Sequence, residues 1–247
     1  MTYDFGGKVA IVTGAGGGIG RATALAFAKC DARVVVADVN VAGGRETVDL
    51  IGGGAVFQHC DVSRADAVRA LVARAESEYG RLDFAHNNAG INSINVDEWT
   101  DEGYDRSIAV NLKGVMLCIR EEVPLMLKSG GGAIVNTASI NGLVGNANQP
   151  AYTSGKHGVV GLTRHAALKW ARDGIRVNCV CPGVVETAMT DQAASDPRIK
   201  AIMEQMTPMG RIGQPEEIAA AVLWLCSREA SFVTGHPLVI DGGATAV

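Results

Sequence analysis

The sequence lacks any long apolar run. No stretch approaches the ~20 consecutive apolar residues that a membrane-spanning helix needs, and the first residues show no charged segment followed by an apolar one, as a secretory leader would. Neither sign of charge dominates, since the formal net charge is −4 over 247 residues. A basic face for nucleic acid is therefore not expected. We predict a cytoplasmic protein without membrane or nucleic-acid partners.

Cysteine and histidine are present but form no recognisable metal pattern. The six cysteines are scattered, and the five histidines do not stand at zinc-ligand spacing. We therefore predict no metal site and interpret the cysteines as buried free thiols. Linkers are also missing, because no Pro/Ser-rich, charged or low-complexity stretch divides the chain. Residues 1–247 are thus expected to form a single domain.

Short apolar, β-branched segments alternate with helix-length segments along the whole chain. Most are continuously apolar, which is typical of parallel strands covered on both faces. The pattern predicts an α/β fold, a Rossmann-type doubly wound parallel sheet of about seven strands with helices on both faces. Ser63–Asp66 resembles a capping box, and Pro215 with the acids after it predicts a helix start. The predicted strands are Lys8–Thr13, Arg33–Asp38, Ala55–Cys60, Leu82–Asn87, Ala133–Thr137, Ile175–Cys181 and Leu238–Asp241.

A glycine-rich segment joins the first predicted strand to the first helix. It fits the pattern TGxxxGxG through Thr13, Gly14, Gly18 and Gly20. Glycines there let backbone amides approach a pyrophosphate at a helix N-terminus. A glycine-rich loop alone could instead be a tight turn, but its place between strand and helix favours dinucleotide binding.

Asp38 ends the second predicted strand, where a carboxylate would accept hydrogen bonds from adenosine ribose hydroxyls. A 2′-phosphate there would meet like charge, and Val39 and Asn40 bring no cation. We therefore predict NAD over NADP; a helix N-cap role for Asp38 is compatible with this. Asp61 and Val62 suit the adenine edge. The amide and small residues that end the fourth strand could be turn formers only; they are Asn88, Ala89 and Gly90.

Tyr152 and Lys156 stand at i and i+4, so they share one helical face. Proton transfer to or from a substrate oxygen needs an acid/base, and an adjacent ammonium stabilises phenolate. Ser139 follows an apolar strand, where its hydroxyl could hold the substrate oxygen. A solvent-exposed Tyr–Lys pair is the alternative. Asn111 lies within a predicted helix, where asparagine is unfavourable, so it satisfies a backbone group or a water.

Taken together in this order and spacing, these residues resemble the short-chain dehydrogenase/reductase family from Lys8 nearly to the C-terminus. The resemblance implies that Tyr152 is the general acid/base, that Ser139 orients the substrate oxygen, and that Lys156 lowers the tyrosine pKa and binds the nicotinamide ribose. Asn111 would hold a water in a proton relay. Ile19 would contact the pyrophosphate, and the nicotinamide would be framed by Pro182, Gly183, Val185 and Thr187. The family also implies a homotetramer, with the segments around Asn111 and Tyr152 at an interface.

The resemblance also places a substrate pocket of mixed apolar and amide character without a cationic clamp. It favours hydride exchange between NAD(H) and a neutral aliphatic or alicyclic secondary alcohol or ketone. A 3-oxoacyl-[acyl-carrier-protein] reductase, a sugar or hydroxysteroid dehydrogenase, and a non-catalytic NAD-binding protein are the alternatives. Four methionines in 187–210 predict either a mobile lid or core packing. The pocket candidates are Ile91, Asn92, Ile140, Val144, Asn146, Gln149, Val184 and Met189.

Overall fold

The computed structural model describes residues 3–92, 97–190 and 196–246. A seven-stranded parallel sheet runs through it in the order β3-β2-β1-β4-β5-β6-β7, which confirms the predicted doubly wound architecture. The strands are β1 (Val9–Thr13), β2 (Arg33–Asp38), β3 (Ala55–His59), β4 (Phe84–Asn87), β5 (Gly132–Thr137), β6 (Ile175–Pro182) and β7 (Pro237–Ile240).

Helices connect the strands and cover both faces of the sheet. A single π-helical turn, Ala109–Lys113, joins two of them, so the continuous helix expected around Asn111 is interrupted there. Such turns are uncommon and frequently occur at functional sites. The helices are α1 (Gly18–Lys29), α2 (Val41–Ile51), α3 (Ala65–Tyr79), α4 (Asp101–Ile108), α5 (Gly114–Lys128), α6 (Pro150–Trp170), α7 (Pro197–Gln205) and α8 (Pro215–Cys226).

Alternate residues of the strands build two separate hydrophobic cores. In β1, Val9 and Ile11 face the cluster that contains buried side chains of α3, α5 and α6. Ala10 and Val12 face the opposite cluster, with α1 and α8. Because successive strand residues point to opposite faces, a strand covered on both sides must be apolar throughout. All six cysteines are buried free thiols, as predicted.

The two predicted helix starts had different outcomes. The Ser63–Asp66 capping box is wrong: α3 begins without a side-chain cap, and Ser63 donates instead to Asp61 Oδ1 at 2.7 Å. The prediction at Pro215 is confirmed, since α8 begins at that residue and a capping box joins Gln214 to Glu217. Along the described segments, no helix is long and apolar enough to cross a membrane.

The strand order reverses beside β1, which pairs with β2 on one side and with β4 on the other. Thr13, the last residue of β1, joins the two sides of this crevice. Its hydroxyl oxygen accepts hydrogen bonds from the backbone N–H groups of Asn88 and Ala89 at 3.0 and 3.1 Å. Ligands of doubly wound sheets bind in the crevice at such a reversal.

Candidate active site

A cavity of about 630 Å³ opens at the carboxyl ends of the strands. Its wall draws on the glycine-rich loop, the ends of five strands, and helices α4 and α6. Most of the residues predicted for cofactor and catalysis lie on it. They are Gly14, Gly18, Ile19, Asp38, Asp61, Val62, Asn88, Ala89, Gly90, Asn111, Ser139, Tyr152, Lys156, Pro182, Gly183, Val185 and Thr187.

At several positions of the glycine-rich loop the backbone lies so close to its neighbours that a side chain would not fit. Gly14 has φ +65°, and a Cβ there would lie 2.9 Å from Ala89 Cα. Gly18 has φ +50°, and a Cβ would lie 3.0 Å from the Thr187 side chain. Gly20 is not on the cavity wall; a Cβ there would lie 2.2 Å from the Gly14 carbonyl oxygen. Its smallness therefore serves the packing of α1 against the loop.

Asp38 lies on the wall at the end of β2. Its Oδ2 accepts from Gly16 N–H at 2.7 Å and its Oδ1 from Asn40 N–H at 2.8 Å. Asn40, not Asp38, caps α2. The carboxylate thus ties the glycine-rich loop to the start of α2 while it borders the cavity.

Arg21, for which we predicted no role, reinforces the same corner. Its guanidinium donates to the carbonyl oxygens of Gly16 and Gly43 at 2.7 and 3.2 Å and to Thr47 Oγ1 at 3.0 Å. It also pairs with Glu46. These partners hold the guanidinium between the loop and α2, which no local sequence pattern could have shown.

The end of β4 is held by amide hydrogen bonds. Asn88 Nδ2 donates to the Thr13 carbonyl oxygen at 3.0 Å, and Thr137 Oγ1 donates to Asn88 Oδ1 at 3.2 Å. On the adenine side, Asp61 Oδ1 accepts from the Ser63 backbone and hydroxyl. A Cβ at Gly114 would lie 2.8 Å from Val62. Asn88 and Asp61 therefore hold local turns in place and also border the cavity.

Lys156 and Tyr152 meet Ser139 across the cavity. The Lys156 ammonium is buried, donates to the Thr137 carbonyl oxygen at 2.8 Å, and lies 5.5 Å from the centre of the Tyr152 ring. Burial lowers the pKa of Lys156 to about 8. Burial raises the pKa of the Tyr152 phenol, hydrogen bonding with Ser139 opposes this rise, and the charge of Glu98 adds to it. Tyr152 and Lys156 are thus two titratable groups close together, with the Ser139 hydroxyl beside the phenol.

Asn111 lies in the π-helical turn and is fully buried. Its Oδ1 accepts from Ile91 N–H and its Nδ2 donates to the Ile91 carbonyl oxygen, both at 3.0 Å. Nδ2 also donates to Ser107 Oγ at 3.2 Å. The amide therefore satisfies a backbone segment beside the cavity, one of the two roles expected for it; water binding stays a prediction.

The residues predicted for substrate divide into two groups. Ile91 and Met189 lie on the cavity wall, whereas Ile140, Val144, Gln149 and Val184 do not. Val184 borders a second cavity of about 100 Å³. Gln149 instead joins an amide cluster: its Nε2 donates to Asn92 Oδ1, and its Oε1 accepts from Asn146 Nδ2 at 3.1 Å.

Of the predicted lid, residues 191–195 lie outside the described part of the chain. Met206 and Met209 are 68% and 65% exposed, which does not fit core packing.

Two further residues on the cavity wall could not have been predicted from the sequence. Arg106 is an exposed cation on α4, and Thr137 provides the carbonyl for Lys156. Within the described residues, no three potential ligands among His, Cys, Asp and Glu cluster for a metal ion.

Comparisons with known proteins find similar chains over nearly the whole length of this one. A family model described as enoyl-(acyl carrier protein) reductase matches residues 14–245. The chain is 45% identical over 251 residues to a cyclohexanol dehydrogenase of Acinetobacter sp. (strain SE19), covering 100% of this chain and 98% of that one. It is 42% identical over 248 residues to a 2,5-dichloro-2,5-cyclohexadiene-1,4-diol dehydrogenase of Sphingobium indicum, covering 99% of each.

A solved structure shares the fold over the same length. The crystal structure of a short-chain type dehydrogenase/reductase from Mycobacterium marinum superposes with a TM-score of 0.94 at 37% identity, covering 100% of this chain and 98% of that one.

Proposed function

The chain belongs to the short-chain dehydrogenase/reductase family, and on that premise we propose that it is an NAD-dependent dehydrogenase of neutral alicyclic secondary alcohols. The observation that carries this proposal is the meeting of Ser139, Tyr152 and Lys156 on one cavity wall with the glycine-rich loop and Asp38. Fold alone does not assign chemistry, but a cluster of Ser, Tyr and Lys beside a glycine-rich loop supports a proton transfer coupled to a nucleotide cofactor.

The residues on the wall fit a dinucleotide. Gly14 and Gly18 leave the loop free of side chains where Cβ atoms would collide with neighbours, so backbone amides can approach a pyrophosphate at the start of α1. Asp38 offers carboxylate oxygens to ribose hydroxyls, and Val62 covers one side of the adenine end. Lys156 would hold the nicotinamide ribose, and Pro182 and Thr187 would frame the ring. NAD supplies the hydride acceptor when it is bound.

Tyr152 is the residue that moves the proton. In alcohol oxidation its phenolate oxygen takes the hydroxyl proton of the substrate, and in ketone reduction its phenol returns one. Ser139 donates to or accepts from the same substrate oxygen and holds it beside the phenol. The Lys156 ammonium, 5.5 Å from the ring centre, favours phenolate against the effect of burial.

The substrate class rests on the cavity and on the relatives. Ile91 and Met189 give the wall apolar surface near the cluster, and two relatives carry names of enzymes that act on six-membered alicyclic alcohols. Arg106 is a cation on the same wall, whereas we expected a pocket without a cationic clamp. The matching family model is described as an enoyl-(acyl carrier protein) reductase, and a relative that is 40% identical over 241 residues is named a 3-oxoacyl-[acyl-carrier-protein] reductase, so an acyl thioester is the second candidate.

Cofactor choice follows from charge. Asp38 would place a carboxylate against a 2′-phosphate, and the nearby Arg21 is already paired with Glu46 and donates to backbone carbonyl oxygens. NADP would therefore bind next to an uncompensated negative charge. We propose NAD as the working cofactor on this ground.

A spectrophotometric panel tests the proposal. NADH or NADPH formation is followed with cyclohexanol, a cyclohexanediol, a sugar and a hydroxysteroid, and the reverse reaction with an acetoacetyl thioester. We expect the highest kcat/KM with NAD and an alicyclic alcohol. A preference for NADPH with the thioester would replace the proposal by the acyl-carrier-protein reductase.

Assembly and location belong to the same proposal. We propose one domain over residues 1–247, a cytoplasmic location and a homotetramer, with α5 and α6 at an interface. Met116 on α5 and Leu168 on α6 are 36% and 86% exposed in the single chain. Light scattering at micromolar concentration tests the tetramer, and a monomeric mass would refute it.

A further inference from the structure

Glu98 is a buried carboxylate that the proposed chemistry does not use. It lies in the segment before α4 and is only 3% exposed. Its Oε2 accepts from the backbone N–H groups of Ala151 and Tyr152, at 2.9 and 3.1 Å. The other oxygen, Oε1, is buried without a hydrogen-bond partner among the described residues. A single side chain thus contacts the first turn of the helix that carries Tyr152 and Lys156.

The helix α6 needs such a partner. The first N–H groups of a helix have no acceptor within it, and the residue before α6, Gln149, makes no side-chain cap. Pro150, the first residue, has no N–H, and Thr153 N–H reaches the Gln149 carbonyl oxygen at 2.9 Å. Glu98 accepts from the two that remain. A carboxylate is also favoured by the positive end of the helix dipole.

The residues on either side of Glu98 make local hydrogen bonds at the start of α4. Asp97 Oδ1 accepts from Trp99 N–H at 2.9 Å, and Thr100 Oγ1 accepts from Gly103 N–H at 3.1 Å. Local bonds therefore fix the backbone on both sides of Glu98, and its side chain bridges from this fixed turn to α6. Burial is the main cause that raises the pKa of Tyr152, and the charge of Glu98 adds to this rise.

We infer that Glu98 is a positioning residue for the proton transfer: its carboxylate fixes the first turn of the helix that carries Tyr152 and Lys156, and it lies against the backbone of Tyr152. This rests on the proposed role of Tyr152. Around the phenol are Lys156 on its own helix and Ser139 after β5, whereas Glu98, from the segment before α4, contacts the Tyr152 backbone N–H. Lys156 favours phenolate, and Glu98 opposes it.

Two variants separate the charge from the anchor. Glu98→Gln keeps an acceptor oxygen and removes the charge, so the ascending limb of kcat against pH for alcohol oxidation should move to lower pH. Glu98→Asp keeps the charge and shortens the reach. Its limb should stay in place, while hydrogen exchange at the first turn of α6 becomes faster. The control is Glu102→Gln, an exposed acid at the start of α4.

A titration independent of turnover completes the test. Tyrosinate absorbance is followed with pH in the intact protein, and the curve of Tyr152→Phe is subtracted to isolate Tyr152. The Glu98→Gln variant should ionise Tyr152 at lower pH than the wild type. Superimposable titrations and pH profiles would overturn the inference. Full turnover in Tyr152→Phe would instead refute the proposed role of Tyr152, so the two failures are distinguishable.

Discussion

Replacing Lys156 with methionine should destroy activity and stabilise the free protein. The ammonium is buried and its pKa is lowered from 10.5 to about 8 by burial. That difference corresponds to about 3 kcal/mol of unfolding free energy at neutral pH. Methionine also loses the hydrogen bond to the Thr137 carbonyl oxygen, which costs about 1 kcal/mol. The expected net gain in the free protein is about 2 kcal/mol.

The pH dependence fixes the sign of this effect. The unfolded chain binds the Lys156 proton more tightly than the folded one, so wild-type stability rises with pH between about 8 and 10.5. Below pH 8 the destabilisation is fully present. The difference between Lys156→Met and wild type should therefore be largest at pH 7 and shrink toward pH 10.

Urea unfolding at fixed protein concentration measures both quantities. Lys169→Met, at an exposed position on the same helix, is the matched control and should change stability by less than about 0.5 kcal/mol. A Lys156→Met variant that is less stable than wild type at pH 7 would refute the reasoning from burial.

Three further predictions concern the loop, the core and the catalytic helix. Arg21→Met should raise KM for NAD several-fold with kcat little changed, because the glycine-rich loop loses its hydrogen bonds to α2 through Arg21. The control Arg45→Met, at an exposed position of α2, should leave KM unchanged. Equal KM values in the two variants would contradict this role of Arg21. Burial raises the pKa of Glu122 to about 7. The free energy of unfolding of the wild type should therefore fall by up to about 3 kcal/mol as pH rises from about 4.5 to 7. Urea unfolding should show no such fall for Glu122→Gln. Gly161 lies in open space on α6, so Gly161→Ala should stabilise the protein by about 1 kcal/mol. A Cβ at Gly158 would lie 2.7 Å from a leucine side chain, so Gly158→Ala should destabilise it. Thermal unfolding distinguishes the two variants, and equal effects would contradict the close packing of Gly158.

The sequence was sufficient for the sheet because its strands are buried on both faces. β2, Arg33–Asp38, could be predicted to the residue, since a short, continuously apolar and β-branched run between two charged residues is typical of a strand covered on both sides. The start of β4 differs from the prediction because Asp83 leaves the strand pattern to bind Val9 N–H, Lys8 and Arg81. Such long-range polar contacts have no periodic signature.

The same limit applies to the site. The roles proposed for Gly14, Gly18, Asp38 and the Tyr152/Lys156 pair follow from residue type and position in the chain, and the structure places these residues on one wall. Arg21 and Glu98 bind partners that are distant in sequence, so their contacts can be identified only in the folded structure. Pocket residues were the least predictable, because a loop residue such as Gln149 can turn toward neighbouring amides rather than the cavity.

The most direct measurement compares wild type with Tyr152→Phe for NAD reduction by cyclohexanol, with NAD affinity measured in parallel by fluorescence. We expect turnover in the wild type, a loss of about 10²- to 10⁴-fold in kcat for the variant, and an unchanged Kd for NAD. Turnover preserved within tenfold in the variant would contradict the assignment of proton transfer to Tyr152.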